Sequence, residues 1–231
     1  MLDDFKCEVK IGVRVPSLTV VELRERYVEA LVDGDPAAAA RILEAAADGA
    51  DVRSLYLHVL QPALYEIGRR WADAEISIAQ EHLATAMTQS LMARLAERLG
   101  TDLAGRRGRK ALVACAEGEL HVLGVRMVAD FLDADGWDVL FVGELSPASS
   151  VAELAASHRV DVVALSAALS ARLPEVATAV DALRALDPAP LVAVGGQAFG
   201  GDAAVALRTG ADLYATDAGA LVRALEERFG S

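Results

Sequence analysis

Cysteine is nearly absent: two in 231 residues, Cys7 and Cys115, which leaves no disulfide framework and no metal-type spacing. Aromatic residues are also few, at 5%, so a core must be built from Ala, Leu and Val. With 54% hydrophobic residues the chain is still too apolar to be wholly disordered. No apolar run approaches the ~20 residues needed to span a bilayer. Residues Met1 to Lys6 have neither a basic start nor a signal-type apolar core, so a cytoplasmic location is expected. Positive charge is scarce too. The net charge is −12, and one basic cluster, Arg106-Arg107-Gly108-Arg109-Lys110, reads as a solvated linker. Direct nucleic-acid binding is therefore not expected. GxGxxG, the Walker GxxxxGK[ST] and the GxSxG elbow are all missing, which weighs against a nucleotide enzyme and a serine hydrolase.

What is present falls into two halves. After a short arm (1–16), residues 17–99 carry helical spacing, with Ser17 as an expected N-cap. Gly34-Asp35-Pro36 ends one helix and opens the next, which runs to about Ala47. A third helix follows Asp51 to Trp71, and a fourth runs from about Ser77 to Leu99 with Leu83, Met87, Leu91 and Leu95 as its apolar stripe. Short connections between such helices imply a four-helix bundle. A polar, Gly-containing linker spans 100–109. From Lys110 onward, apolar runs alternate with helical patterns. The expected strands are Lys110–Ala116, Trp137–Gly143, Val160–Ala167, Leu191–Gly195 and Leu213–Thr216. Continuous Val/Leu strands joined by helices mean a parallel sheet covered on both faces, here a five-stranded, flavodoxin-like (Rossmann-like) domain over 110–231.

The stretch Glu119-Leu120-His121-Val122-Leu123-Gly124 lies where the first strand gives way to a helix. In a doubly wound sheet, ligands bind outside the carboxyl ends of the strands at the switch point. A histidine there, with a carboxylate two residues before it, has the makings of a metal ligand and its orienting partner. Ser166-Ala167-Ala168-Leu169-Ser170 follows the third strand, and Gly195-Gly196 the fourth. A hydroxyl can hydrogen-bond a ligand, and paired glycines permit close approach.

In this order, Glu119-x-His121-x-x-Gly124, Ser166-x-x-Leu169 and Gly195-Gly196 resemble the signature of the cobalamin (B12)-binding domain family. The resemblance implies that His121 is the lower axial ligand of cobalt and that Glu119 holds its other ring nitrogen. Ser166 would support that pair or the displaced nucleotide tail, and Gly195 and Gly196 would line the slot for that tail. Many members have Asp where Glu119 stands.

The bundle resembles the cap that covers the upper corrin face in this family. Leu60-Gln61-Pro62-Ala63-Leu64 through Ile67-Gly68-Arg69-Arg70-Trp71 match a pattern shared by methyl carriers and photoreceptors. Trp71, nine residues, then Glu81-His82 is similar to CarH-type B12 photoreceptors and the related photocobilins. By that likeness adenosylcobalamin binds between bundle and sheet domain, with Trp71 against the adenosyl group, Glu81 on its ribose and His82 either flanking the ligand or supporting the cap. Two departures stand out. CarH-type repressors carry a helix-turn-helix domain before the bundle, where this sequence has a short arm, so operator binding is not expected. Ala72 also occupies the place where the photoreceptor branch often has a second cobalt-ligating histidine; the candidates to substitute are His58, His82 or a water molecule. The implied function is a non-enzymatic light sensor that signals through a homo-oligomer or a protein partner, with biliverdin as an additional chromophore in the photocobilin variant. The alternative is a corrinoid methyl-carrier protein serving a separate methyltransferase; a third is a storage protein for cobalamin.

Overall fold

A computed structural model describes residues 18–100 and 108–230. The chain divides into two compact units at Leu99/Gly100. Ser17, Cys7 and most of the basic linker lie outside the described residues.

In the first unit Thr19, not Ser17, caps the opening helix, α1 (Val20–Val32). Its Oγ1 accepts from the Glu22 N–H, and the Glu22 carboxylate accepts from the Thr19 N–H, a reciprocal box that satisfies two otherwise orphaned donors. Asp35 then caps α2 (Pro36–Ala47) through the Ala38 N–H at 2.9 Å, with Pro36 at the first helical position as expected. The third rod is one helix with an interruption. α3 (Val52–Leu55), capped by Asp51, leads through a π turn (Tyr56–Leu60) into α4 (Gln61–Ala72). Pro62 explains the widened turn. A proline in a continuous α-helix lacks an N–H and crowds the carbonyl four residues back, and the wider π turn just ahead of it gives that carbonyl room. Sequence spacing alone had suggested an unbroken helix here.

α5 (Ile78–Leu99) closes the unit and corrects the expected stripe. Leu83 is 46% exposed and rests near Gly34, whereas Ala84, Met87, Thr88, Leu91, Met92 and Leu95 are buried. Strict four-residue steps drift by about 40° each at 3.6 residues per turn, so the line from Leu83 to Leu95 cannot stay on one face. The core instead alternates three- and four-residue steps. Thr88, fully buried, donates its hydroxyl to the Ala84 carbonyl and so accepts from Tyr27 of α1 at 2.9 Å. Tyr56 similarly donates to the Met92 carbonyl at 3.0 Å.

The second unit is the expected doubly wound sheet. Its strands are β1 (Lys110–Cys115), β2 (Asp138–Gly143), β3 (Val162–Ser166), β4 (Leu191–Gly195) and β5 (Leu213–Ala215), all parallel, in the order β2-β1-β3-β4-β5. The crossovers are α6 (Val122–Ala134), α7 (Ala148–His158), α8 (Leu173–Arg184) and α9 (Ala203–Leu207), and α10 (Ala218–Phe229) follows β5. Leu112, Ala114, Val163, Leu165, Val192 and Val194 pack with α7 and α8, while α6 and α10 lie together on the other face. Burial on both faces is what makes these strands read as unbroken apolar runs. Trp137, placed in a strand by its sequence, precedes β2 and is buried edge-on against Phe229 at 5.6 Å, with Arg109 over the same Phe229 ring. Among the described residues, no helix is long and apolar enough to cross a membrane.

Tyr27→Phe should lower the stability of the bundle by about 1 kcal/mol, since it deletes a buried donor and leaves Thr88 Oγ1 short of one partner. Chemical denaturation of the two proteins checks this, and equal midpoints would contradict it.

Candidate cofactor site

Reversal of strand order at β1/β3 opens a crevice at the carboxyl edge of the sheet, and the loops after these two strands meet there. The β1–α6 loop carries Glu117 to His121, and His121 is the last residue before α6. The β3–α8 loop carries Ala167 to Leu169 and a short 3₁₀ turn, Ser170–Arg172.

Glu119 joins the two loops. Its side chain is 1% exposed, and its carboxylate accepts from five donors. One oxygen takes the His121 ring Nδ1–H together with the backbone N–H groups of Leu120 (2.9 Å) and His121 (3.0 Å). The other takes the backbone N–H groups of Ala168 (2.8 Å) and Leu169 (3.2 Å) across the crevice. Burial alone would push this carboxyl up, but the His121 ring and the surrounding amides outweigh it and hold it down at about 2. Glu119 is therefore a carboxylate, an acceptor only, so Nδ1 of His121 carries the proton and Nε2 is the nitrogen suited to a metal. The His121 side chain is half-exposed at 53%. Beneath it, the Cys115 thiol lies 3.9 Å from the His121 carbonyl, and burial together with nearby Glu119 and Glu144 raises it to about 12, so it remains a protonated, structural thiol.

The remaining sheet-unit residues take up positions around this pair. Ser166 ends β3 in register with Cys115 of β1 and Gly195 of β4, which sets three small residues in one row across the sheet. Glu119 is bonded by the amides that follow Ser166 rather than by the Ser166 hydroxyl. Gly195 and Gly196 are required by their backbone surroundings. A Cβ on Gly195 would lie 2.6 Å from the Ala215 carbonyl oxygen, and one on Gly196 would lie 2.2 Å from that of Ala167, at a φ of +108° closed to other residues. Gly124 differs: apart from its own chain neighbours and helix backbone, nothing lies within 4 Å of where its Cβ would be. A glycine inside a helix costs about 1 kcal/mol relative to alanine, and here it leaves the surface beside the helix open. Leu120 (61% exposed) and Leu169 (49%) supply apolar surface in the two joined loops.

Trp71, Glu81 and His82 belong to the first unit. Trp71 is 45% exposed near the end of α4, and Glu81 lies in the first turn of α5 with His82 directly after it. Glu81 accepts from the Thr85 hydroxyl at 3.0 Å, and its other oxygen is 3.6 Å from His82 Nε2. Ala72 and His58 are both exposed on the preceding rod. Sequence reasoning missed the Ala168 and Leu169 amides, because backbone donors leave no residue signature; it also missed the exposed Leu120, whose place inside the Glu119–His121 spacing could have flagged it.

The donor set fits cobalamin. Among the described residues no three His, Cys, Asp or Glu side chains gather into a metal cage. One oriented imidazole beside exposed leucines and an open glycine suits a metal whose other ligands come from its own flat macrocycle. A doubly wound sheet that offers one such imidazole at its switch point defines a cofactor-binding module. The chain belongs to the B12-binding domain family: one B12 binding domain model matches residues 109–223 and a second, also described as a B12 binding domain, matches residues 23–96. The chain is 36% identical over 178 residues to the HTH-type transcriptional repressor CarA of Myxococcus xanthus, covering 75% of this chain and 58% of CarA. It thus spans little more than half of that relative's length. It is 28% identical over 147 residues to monomethylamine corrinoid protein 1 of Methanosarcina acetivorans, covering 62% of this chain and 67% of that one. In fold it is similar to the monomethylamine corrinoid protein of Methanosarcina barkeri, with a TM-score of 0.78 at 22% identity over 90% of this chain and 99% of that one.

Glu119→Gln should destabilise the sheet unit, because an amide must turn a donor toward amide or ring N–H groups whichever way it sits. The ionised carboxyl contributes its stability above its ordinary value of 4.5 and loses it as pH falls toward about 2. The difference between wild type and variant in urea midpoint should accordingly shrink over that range, and a constant difference would contradict the assignment.

Proposed function

We propose that this protein holds cobalamin with His121 as the lower axial ligand of cobalt and uses the adenosyl form to sense light. The observation that carries the cobalamin reading is the His121 imidazole, fixed through Nδ1 by a buried carboxylate at the switch point of the sheet. Support for the light-sensing part comes from the Trp71-x9-Glu81-His82 arrangement and the similarity to CarA.

Each residue has a distinct part in this reading. Glu119 keeps the proton on Nδ1 and so presents Nε2 to the metal. Gly124 leaves room beside the imidazole, and Ser166, Leu169, Gly195 and Gly196 form the walls that admit the nucleotide tail. Trp71 offers a flat apolar face to the adenosyl group, and Glu81 accepts hydrogen bonds from its ribose hydroxyls, with His82 beside it. When bound, adenosylcobalamin supplies a cobalt–carbon bond that light can break. Trp71 and Glu81 would contact the adenosyl group in one state only, which is the differential interaction a switch requires. The output is a changed surface for a second copy or for a signalling partner. The chain acts in the cytoplasm as a sensor rather than as an enzyme, and biliverdin is the candidate for a second chromophore.

A second reading, a corrinoid methyl carrier serving a separate methyltransferase, is favoured by the similarity to monomethylamine corrinoid protein 1 and by Ala72, which provides no second ligand. Protein loaded with adenosylcobalamin should bleach and change elution volume under green light. Identical spectra and volumes before and after illumination would sink the photosensor, and preference for methylcobalamin over the adenosyl form would favour the carrier. Co-expression with a bilin source should add red absorbance if biliverdin binds. His121→Ala should lose the histidine-ligated spectrum, and its retention would refute the lower-ligand assignment.

A further inference from the structure

The turn from α4 into α5 is held by one guanidinium. Arg69 sits near the end of α4, and its donors reach three carboxylates. Nε and Nη2 bond Glu66, one turn back, both at 2.9 Å. Nη1 bonds Asp73 at the helix end at 2.6 Å and Glu75 in the turn at 2.9 Å, and Nη2 reaches the second Glu75 oxygen at 3.4 Å. Glu66 also accepts from Arg70, which extends to Glu29 of α1 at 2.9 Å. The network thus runs from α1 through α4 into the turn.

Single exposed ion pairs contribute about 0–1 kcal/mol, so stability is a weak reason for this one. What the network encloses is more informative. Between Asp73 and Glu75 lies Ala74, at a φ of +57°. That left-handed conformation costs an L-residue about 1–2 kcal/mol, and the position after a helix end is where glycine usually takes it. An alanine stays there only if its surroundings over-determine it. Three backbone bonds contribute, Ala74 N–H to the Trp71 carbonyl at 3.0 Å, and Glu75 and Ile76 N–H to the Arg70 carbonyl at 2.8 and 3.3 Å. Arg69 adds the side-chain hold by gripping the residues on both sides of Ala74. Trp71 is the last-turn residue just ahead of this turn, and Ser77 and Gln80, bonded to each other in a reciprocal cap, open α5 directly before Glu81.

We propose that Arg69 is a positioning residue: its grip on Asp73 and Glu75 fixes the α4–α5 turn and so presets Trp71 relative to Glu81. The inference rests on the reading that these two residues attend the upper group of cobalamin. Arg69 acts through the turn and makes no contact of its own with the cofactor. Lysine cannot replace it, because an ammonium is a point charge with no planar fork to span three carboxylates.

The test begins with the cofactor-free full chain, whose two tryptophans differ in burial: Trp137 is 1% exposed and Trp71 45%. Time-resolved fluorescence anisotropy of Arg69→Ala should gain a fast component from Trp71, and Arg69→Lys should gain it too. The double variant Asp73→Asn with Glu75→Gln removes the grip from the other side and should give the same loosening. If either the Arg69→Ala or the double variant folds, as judged by circular dichroism, and shows no added Trp71 motion, the proposal is overturned. Affinity then separates it from the functional reading. Arg69→Ala should bind adenosylcobalamin about tenfold more weakly, equivalent to about 1.4 kcal/mol, with hydroxocobalamin unchanged. Loosened anisotropy with unchanged affinity for both forms would uphold Arg69 as the keeper of the turn and overturn the upper-face role of Trp71.

Discussion

Glu119 does in one side chain what the sheet unit needs done twice. A buried carboxylate is costly in an apolar interior unless its lone pairs are met, and here four amides and one imidazole meet them. Two of those amides come from the loop after β3, so the charge that orients His121 also pins the facing loop in place. Remove the charge and both the tautomer of the imidazole and the shape of the crevice become undetermined together. The length of the glutamate side chain fits this double duty, because its carboxylate reaches across the crevice as well as back to its own loop.

The row of small residues at the strand ends follows the same logic. Cys115, Ser166 and Gly195 are level across three neighbouring strands, so the carboxyl edge has a low floor in its middle. Gly195 and Gly196 face carbonyl oxygens too closely for any Cβ, which makes their smallness a condition of the loop geometry as well as of ligand access. Gly124 answers to no internal neighbour. Of the glycines in the motif, it is the one with open space beside it.

Much of this was legible in the residues. Parallel strands buried on both faces leave continuous apolar runs, and the observed bounds differ from the expected ones by a residue or two. The pairing of His121 with Glu119 was legible because the two stand two residues apart just past a strand end. Other features were hidden for physical reasons. Leu83 was misjudged because a four-residue stripe drifts around a helix, and the π turn was hidden because apolar spacing does not report a widened turn. The partners of Glu119 across the crevice are backbone amides, which any residue can provide. The role of Arg69 depended on three carboxylates at offsets of −3, +4 and +6, a pattern with meaning only once the turn is seen to bend back.

The packing of α10 has a consequence for the order in which the molecule is made. Phe229 stands against Trp137 and beneath Arg109, so the last helix seals the side of the sheet on which the first strand enters. The bundle, complete by Leu99, can fold while the rest is still being synthesised. The sheet unit cannot close until roughly 130 further residues have emerged, about 7 to 26 s later at ordinary elongation rates of about 5–20 residues per second. During that interval its apolar strands wait for their outer helix, and a nascent chain that stalls before Phe229 would carry a finished bundle beside an unsealed sheet.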